Sequence, residues 1–508
     1  MSFKEVEQSF LDYVRKIVNY NEANSVMYWD LRTGAPKNSV AQRSIVISEI
    51  SSEIFKMKTS DEMAHYLTTL EEAIGKDILS FETEQTVKEM RRQYDLNTKI
   101  PADEYKEYIK LQTMAESVWS EAKNEKNFKK YQPYLEQIIE YKKRFVEYLG
   151  YKECKYDTYL DQYEPGMTVK ELDHVFQTVR ERVVPLVQAI AKTGKNFEKE
   201  EMTQFVSKQK QREICESLLE TLQYNFSAGR LDETAHPFAT SLNLGDVRVT
   251  TKFHENNFEK AIFSTIHECG HALYEQNISM GLAGLPICSG ASCGIHESQS
   301  LFFEKMIGKS YEFWSHNYNR LQVQLEGKLE GVSLDDFYKA INNSKPSLIR
   351  IEADELTYPL HIMLRYEIEK GLLEGTIEVK DLPEIWNEKM SEYLGIGPSN
   401  DQEGVLQDVH WSMGHFGYFP TYALGAMYAV QIKNAMVKEI PNLDELVAKN
   451  EFEEILQWLK ANIHQYGQTK TPKELLIDVT GEELNVQYYI DYLESKFSSL
   501  YNLEGVEQ

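Results

Sequence analysis

The chain has 508 residues, 27% charged and 42% hydrophobic, which is ordinary globular usage and excludes the disordered and fibrous classes. Its 55 Lys+Arg stand against 80 Asp+Glu for a formal charge of −25, with no basic patch to relieve it, so nucleic acid and anionic membranes are not expected partners. Five cysteines are too few, and odd in number, for a disulfide framework, and no stretch reaches about 18 apolar residues, so a soluble cytoplasmic protein is expected.

The opening residues, Met1 to Lys16, mix charge with helical periodicity and contain no apolar run of signal-peptide type. Only Gly34, Gly75 and Gly150 punctuate the first 150 residues, which predicts long helices. One ends at Gly150: Leu135, Ile138, Ile139, Val146 and Leu149 recur at three and four, with Glu136, Glu140, Lys143 and Glu147 on the other face. Another runs through Leu172, Val175, Phe176, Val179, Val183 and Val187. The texture changes near residue 235, where Val247, Val249, Thr251 and Phe253 alternate with polar neighbours and predict a short strand. A helix follows from Asn257 to Asn277, then a glycine-rich loop over residues 280–294, then a second helix from Gly294 to Glu304. Nine of the twelve histidines fall between residues 236 and 415. With no repeat and no linker, a mainly α single body over 1–508 is expected, its amino-terminal helical part (1–230) covering a catalytic part (231–508).

The sharpest chemical signal is His267-Glu268-Cys269-Gly270-His271. Positions i and i+4 of a helix share a face, so both imidazoles reach one metal ion while Glu268 can act on a water held there. A third ligand is needed, and Glu275 lies about 6 Å too far along the axis. The following helix offers Glu297, with His296 and Glu304 as rivals that spacing alone does not separate. Arg350 and Asp354 stand at i and i+4, which reads either as a surface ion pair or as a ligand clamp. Gln407-Asp408-Val409-His410-Trp411 gathers acid, imidazole and indole, a catalytic cluster or a hydrogen-bonded turn. Cys269 points away from the metal face, and Cys288 and Cys293 read as buried thiols.

Taken in order, His236-Pro237-Phe238, Asp246-Val-Arg248-Val-Thr250, His267-Glu-Cys-Gly-His271, His296-Glu297-Ser298-Gln299, Ile349-Arg350 with Ala353-Asp354, and Gly404 with Gln407-Asp408-Val-His410-Trp411 resemble the motif set of the thermostable carboxypeptidase Taq family. Trp29-Asp30 with Arg43, Tyr163 to Thr168 and Phe416 to Tyr422 extend the resemblance over nearly the whole chain. Leu301-Phe302-Phe303 departs from the arginine and tryptophan usual there. The resemblance implies a thermolysin-clan zinc peptidase, with a saddle-like helical body, a deep groove and a small β-sheet. Its metal ligands would be His267, His271 and Glu297, binding one Zn2+ per chain, with Co2+ or Mn2+ able to substitute. It implies a homodimeric metallocarboxypeptidase, a hydrolase releasing amino acids sequentially and with broad specificity from the free C-terminus of peptides by metal-activated water attack, Glu268 serving as general base and acid. Arg350 would anchor the terminal carboxylate, His410 and Tyr422 would donate to the oxyanion, and His236, Asp246 and Arg248 would contact the peptide. The strand from Asp246 to His254 is expected to pair with the substrate backbone. A zinc oligopeptidase of the same clan is the alternative, and a non-catalytic metal-dependent binding protein, which would have no need of Glu268, is the second.

Overall fold

The computed structural model describes residues 3–503. The glycine-poor first third forms six α-helices: Phe3–Thr33, Val40–Lys58, Asp61–Glu71, Phe81–Thr98, Ala102–Glu125 and Phe128–Leu149. The last of these stops where Gly150 takes a positive φ of 86°, its N–H still bonded to the Val146 carbonyl. Val169–Thr193 starts in a capping box, where the Thr168 side chain accepts from the Glu171 N–H and Glu171 reaches back to the Thr168 backbone. Its apolar stripe from Leu172 to Val187 is buried as the periodicity requires. The buried apolar side chains join into one connected core running from Val6 to Tyr501.

The three strands among the described residues are β1 (Leu231–Glu233), β2 (Ala239–Asn243) and β3 (Asp246–Thr251). The expected strand is present as β3, but its expected role is not possible. The sheet order is β1-β3-β2, with β1 parallel and β2 antiparallel to β3, so β3 is the middle strand and the sheet itself uses its backbone N–H and C=O groups. A substrate strand needs a free edge, and β3 has none.

Against this sheet packs the helix Phe258–Gln276, started by the Asn257 side chain accepting from the Lys260 N–H. Apolar residues are buried on all its sides, as expected of a helix enclosed by other elements. The glycine-rich segment gives way to Cys293–Leu301, which widens without a break into a π-helical turn at Phe302–Gly308. Phe302 and Phe303, at the departure from the family pattern, are fully buried in the core. The helices Tyr358–Glu374 and Phe419–Glu439 complete the surroundings of the site.

The i, i+4 spacing of Arg350 and Asp354 does not lie on an α-helix, and the two do not pair. The chain makes one 3-10 turn, Arg350–Glu352, because Asp354 is committed to starting the next helix. Its carboxylate accepts from the backbone N–H groups of Leu356 and Thr357 and from the Thr357 hydroxyl.

Candidate metal centre and active site

His267 and His271 project from one face of Phe258–Gln276, their ring centroids 5.0 Å apart. Glu297 enters from Cys293–Leu301, and its Oε2 lies 3.5 Å from His267 Nε2 and 3.4 Å from His271 Nε2. Single ligand atoms of the three residues all fall within 4.8 Å of one another. Two glycines permit this closeness. A Cβ on Gly270 would meet the Gln299 carbonyl oxygen at 2.4 Å and Ser300 Cα at 2.6 Å, so the glycine between the histidines lets the two ligand-bearing helices touch. A Cβ on Gly425 would stand 2.5 Å from Glu297 Cγ, so this glycine of Phe419–Glu439 makes room for the ligand carboxylate.

The outer nitrogens of both imidazoles are held by protein. His267 Nδ1 is 2.9 Å from Glu304 Oε2, and Lys305 Nζ is 2.5 Å from the other Glu304 oxygen. His271 Nδ1 lies 2.5 Å from His296 Nδ1, and His296 Nε2 is 2.8 Å from Glu275 Oε1. With Nε2 left for the ligand position, His271 carries its proton on Nδ1 and donates it to His296, which in turn donates to Glu275. The two rivals for the third ligand therefore support the imidazoles from behind. Although burial works against it, His267 and His271 hold Glu297 ionised, well below the usual carboxylate range. Two fixed imidazoles and one carboxylate, free to face a common point, are the donor set of a two-His-one-Glu metal site.

Glu268 is 7% exposed, on the same helix between the ligands. Burial pushes its carboxyl up to about 7 against the pull of His267, with Glu297 adding to the rise and the Ala239 backbone amide of β2 opposing it. Phe238, just before β2, donates its N–H to the Thr250 hydroxyl of β3 at 2.8 Å, so the final threonine of the Asp246 motif ties the start of β2 to β3.

Arg350 is 6% exposed. Its Nε and Nη2 donate to Asp408 Oδ1 at 3.0 and 2.8 Å, its Nη1 donates to the Tyr358 hydroxyl at 3.0 Å, and its guanidinium carbon stands 5.3 Å from the Tyr422 ring centroid. Three of the five guanidinium N–H groups are engaged, which leaves one on each Nη. Asp408 Oδ2 takes Arg365, whose Nε is 2.7 Å away and whose side chain is completely buried. Gln407 Oε1 accepts from both the Arg350 backbone and Arg365 Nη2. His410, two residues beyond Asp408, has its ring centroid 4.4 Å from that of Phe419, and no partner meets its Nδ1 among the described residues. Burial pushes its pKa down to about 4, so at neutral pH the ring is uncharged.

Among the described residues, no hydrogen bond or ion pair joins His236, Asp246 or Arg248 to this group. His236 is exposed in the turn before β2. Asp246 and Arg248 form a two-bond ion pair on β3, with Nε–Oδ1 at 2.7 Å and Nη2–Oδ2 at 2.6 Å, and the Arg248 guanidinium sits 5.4 Å from the Trp29 ring centroid. Sequence reasoning passed over Arg365 and Glu369, which stand at i and i+4 in Tyr358–Glu374 among side chains buried on every face. Glu369 accepts from Trp411 Nε1, the Tyr156 hydroxyl and the Gly417 N–H, and so holds the segment after His410. Charged residues inside an apolar stretch were the available signal. Glu164, in the Tyr163 to Thr168 motif, is fully buried, accepts from the Gly294 N–H and the Tyr428 hydroxyl and fixes the start of the Glu297 helix.

The model of the carboxypeptidase Taq (M32) metallopeptidase family matches residues 9–497. Carboxypeptidase 1 of Bacillus subtilis is 50% identical over 503 residues, covering 99% of this chain and 100% of its own. Among solved structures, the M32 carboxypeptidase of Deinococcus radiodurans superposes with a TM-score of 0.94 at 31% identity, covering 98% of this chain and 100% of that one. The Pyrococcus furiosus carboxypeptidase, in a structure described as Apo-Mg, gives a TM-score of 0.93 at 35% identity over 97% of this chain and 99% of its own.

Proposed function

Because the chain belongs to the carboxypeptidase Taq (M32) metallopeptidase family, and is thereby a metal-dependent carboxypeptidase, we propose that it removes amino acids one at a time, with broad specificity, from the free C-terminus of peptides. The convergence of His267, His271 and Glu297 beside Glu268 is the observation that supports this reading. A divalent metal belongs to a metallopeptidase of this family; zinc is our assignment, since two imidazoles and one carboxylate suit it, and cobalt or manganese fit the same donors. When bound, the metal supplies Lewis acidity to the scissile carbonyl and to the attacking water.

The remaining chemistry falls to the chain's own groups. Glu268 takes a proton from the water as its oxygen bonds to the carbonyl carbon, and returns it to the amine as the C–N bond breaks. Arg350, with one free N–H on each Nη, grips the two oxygens of the substrate's terminal carboxylate, and Asp408 and Tyr358 fix the guanidinium plane. His410 and Tyr422 donate to the carbonyl oxygen as it gains charge. His236, Asp246 and Arg248 contact the peptide farther from the scissile bond.

We place the enzyme in the cytoplasm as a homodimer acting on peptides, each chain working as one body (1–508) whose residues 1–230 cover the groove of the catalytic part (231–508). All five cysteines are free, which suits a reducing compartment, and no helix among the described residues is long and apolar enough to cross a membrane. The dimer rests on the family resemblance. Incubating the metal-loaded enzyme with one defined peptide and following the products by mass spectrometry tests the activity: a ladder shortening from the carboxyl end is expected, and fragments cut from the interior would reject it.

A further inference from the structure

We propose that a 570 Å³ cavity behind the loop carrying His410 binds a small carboxylate, held by the ammonium group of Lys142. The cavity is lined by Lys142, Tyr159, Gln112, Gln162 and the loop residues Met413 and His415; no metal ligand takes part, nor does Arg350. Its volume falls in the range of small-molecule sites, roughly 300–1,000 Å³.

Lys142 occupies the buried face of Phe128–Leu149, beside Ile138, Ile139, Phe145 and Val146, and is 8% exposed. Its Nζ lies 4.4 Å from the Tyr159 ring centroid, 5.6 Å from that of Tyr108 and 6.0 Å from that of Phe416. Among the described residues it makes no ion pair and donates no hydrogen bond. Glu369 acts on it electrostatically, but both Glu369 oxygens are engaged by Tyr156, Trp411 and Gly417. An ammonium this deeply placed with no protein acceptor among the described residues is costly unless the cavity supplies one. Burial accordingly pushes Lys142 down to about 7, with Glu369 recovering only part of the loss.

The missing element is an anion small enough to enter the cavity. A carboxylate accepts from the ammonium, and its apolar remainder can lie against the aromatic rings. Two sources share this chemistry: the amino acids that the enzyme releases, and free organic acids.

Calorimetric titration of acetate, and separately of L-alanine, into the metal-loaded full-length enzyme tests the site. Carboxylate binding should require a charged Lys142, so at pH near 8 wild-type binding should be accompanied by proton uptake, read from the dependence of the heat on two buffers. The binding that persists in Arg350→Ala should fall at least tenfold when Lys142→Met is added and be retained when Lys142→Arg is added. Binding of L-alanine identifies the product as the source, and binding of acetate alone identifies organic acids. No binding of either probe by Arg350→Ala, binding by Arg350→Ala that Lys142→Met leaves undiminished, or binding without proton uptake would overturn the proposal. The proton uptake is read on the wild type and does not depend on any variant folding.

Discussion

Replacing Asp408 by asparagine leaves Arg350 and Arg365 buried without their shared counter-charge. The side chain of Asp408 is 12% exposed and those of the arginines 8% and 0%, so water cannot substitute for it. Removing one partner of a buried ion pair typically costs about 3–5 kcal/mol, and an asparagine oxygen that still accepts from one guanidinium puts the expected loss near the lower end. The loss should depend on pH. Burial raises the Asp408 carboxyl, but Arg365 and Arg350 outweigh it and hold the group well below its ordinary range. A group depressed in the folded state adds stability above its unfolded pKa of about 3.9 and loses it as pH falls toward the folded value. The wild type's advantage over Asp408→Asn should therefore be full near neutrality and shrink below about pH 4. Equilibrium urea unfolding followed by tryptophan fluorescence suits the question, since the Arg365 guanidinium lies 4.6 Å from the Trp386 ring centroid. Because Asp408 also fixes the Arg350 plane, kcat/KM on free-acid peptides should fall about 10 to 150 fold, the value of a charged hydrogen bond. A stability loss under about 1 kcal/mol with unchanged kinetics would show that Asp408 neither neutralises nor orients these arginines.

Glu268→Gln should retain metal and fold while kcat falls about 10² to 10⁴ fold; more than about a tenth of wild-type kcat would remove the residue from the proton transfers. His296→Leu breaks the bond that orients His271 and should weaken metal affinity about 10 to 100 fold by chelator competition, whereas unchanged affinity would leave His296 without a supporting role. Gly425→Ala sets a methyl group against Glu297 and should lower metal content measured after dialysis, an outcome absent if Glu297 is not a ligand. His410→Ala should lower kcat more than it raises KM; a pure KM effect would make it a ground-state binding residue.

The local features were readable in the sequence because local spacing determines them. The histidines at i and i+4, the Asn257 cap, the Gly150 stop and the period-two pattern of β3 each follow from neighbours within a few residues. Spacing could not separate Glu297 from His296 and Glu304, because all three reach the same centre, one toward its interior and two behind the imidazoles. Only the resemblance chose among them. Strand order is non-local, so no local pattern shows that β3 lies between two partners. Arg350 looked tied to Asp354 because they are close in the chain, yet its partner is 58 residues away. Arg365 required knowing that its helix is enclosed on all sides.

The central claim is that Arg350 recognises a free terminal carboxylate beside the metal site. It is tested most directly by cleavage of one peptide prepared as the free acid and as the C-terminal amide, with the wild type and Arg350→Ala compared at equal metal content. The wild type should strongly prefer the free acid, and the variant should lose about 10 to 150 fold on the acid while treating the two peptides nearly alike. A variant that keeps the full preference for the free acid would contradict the account.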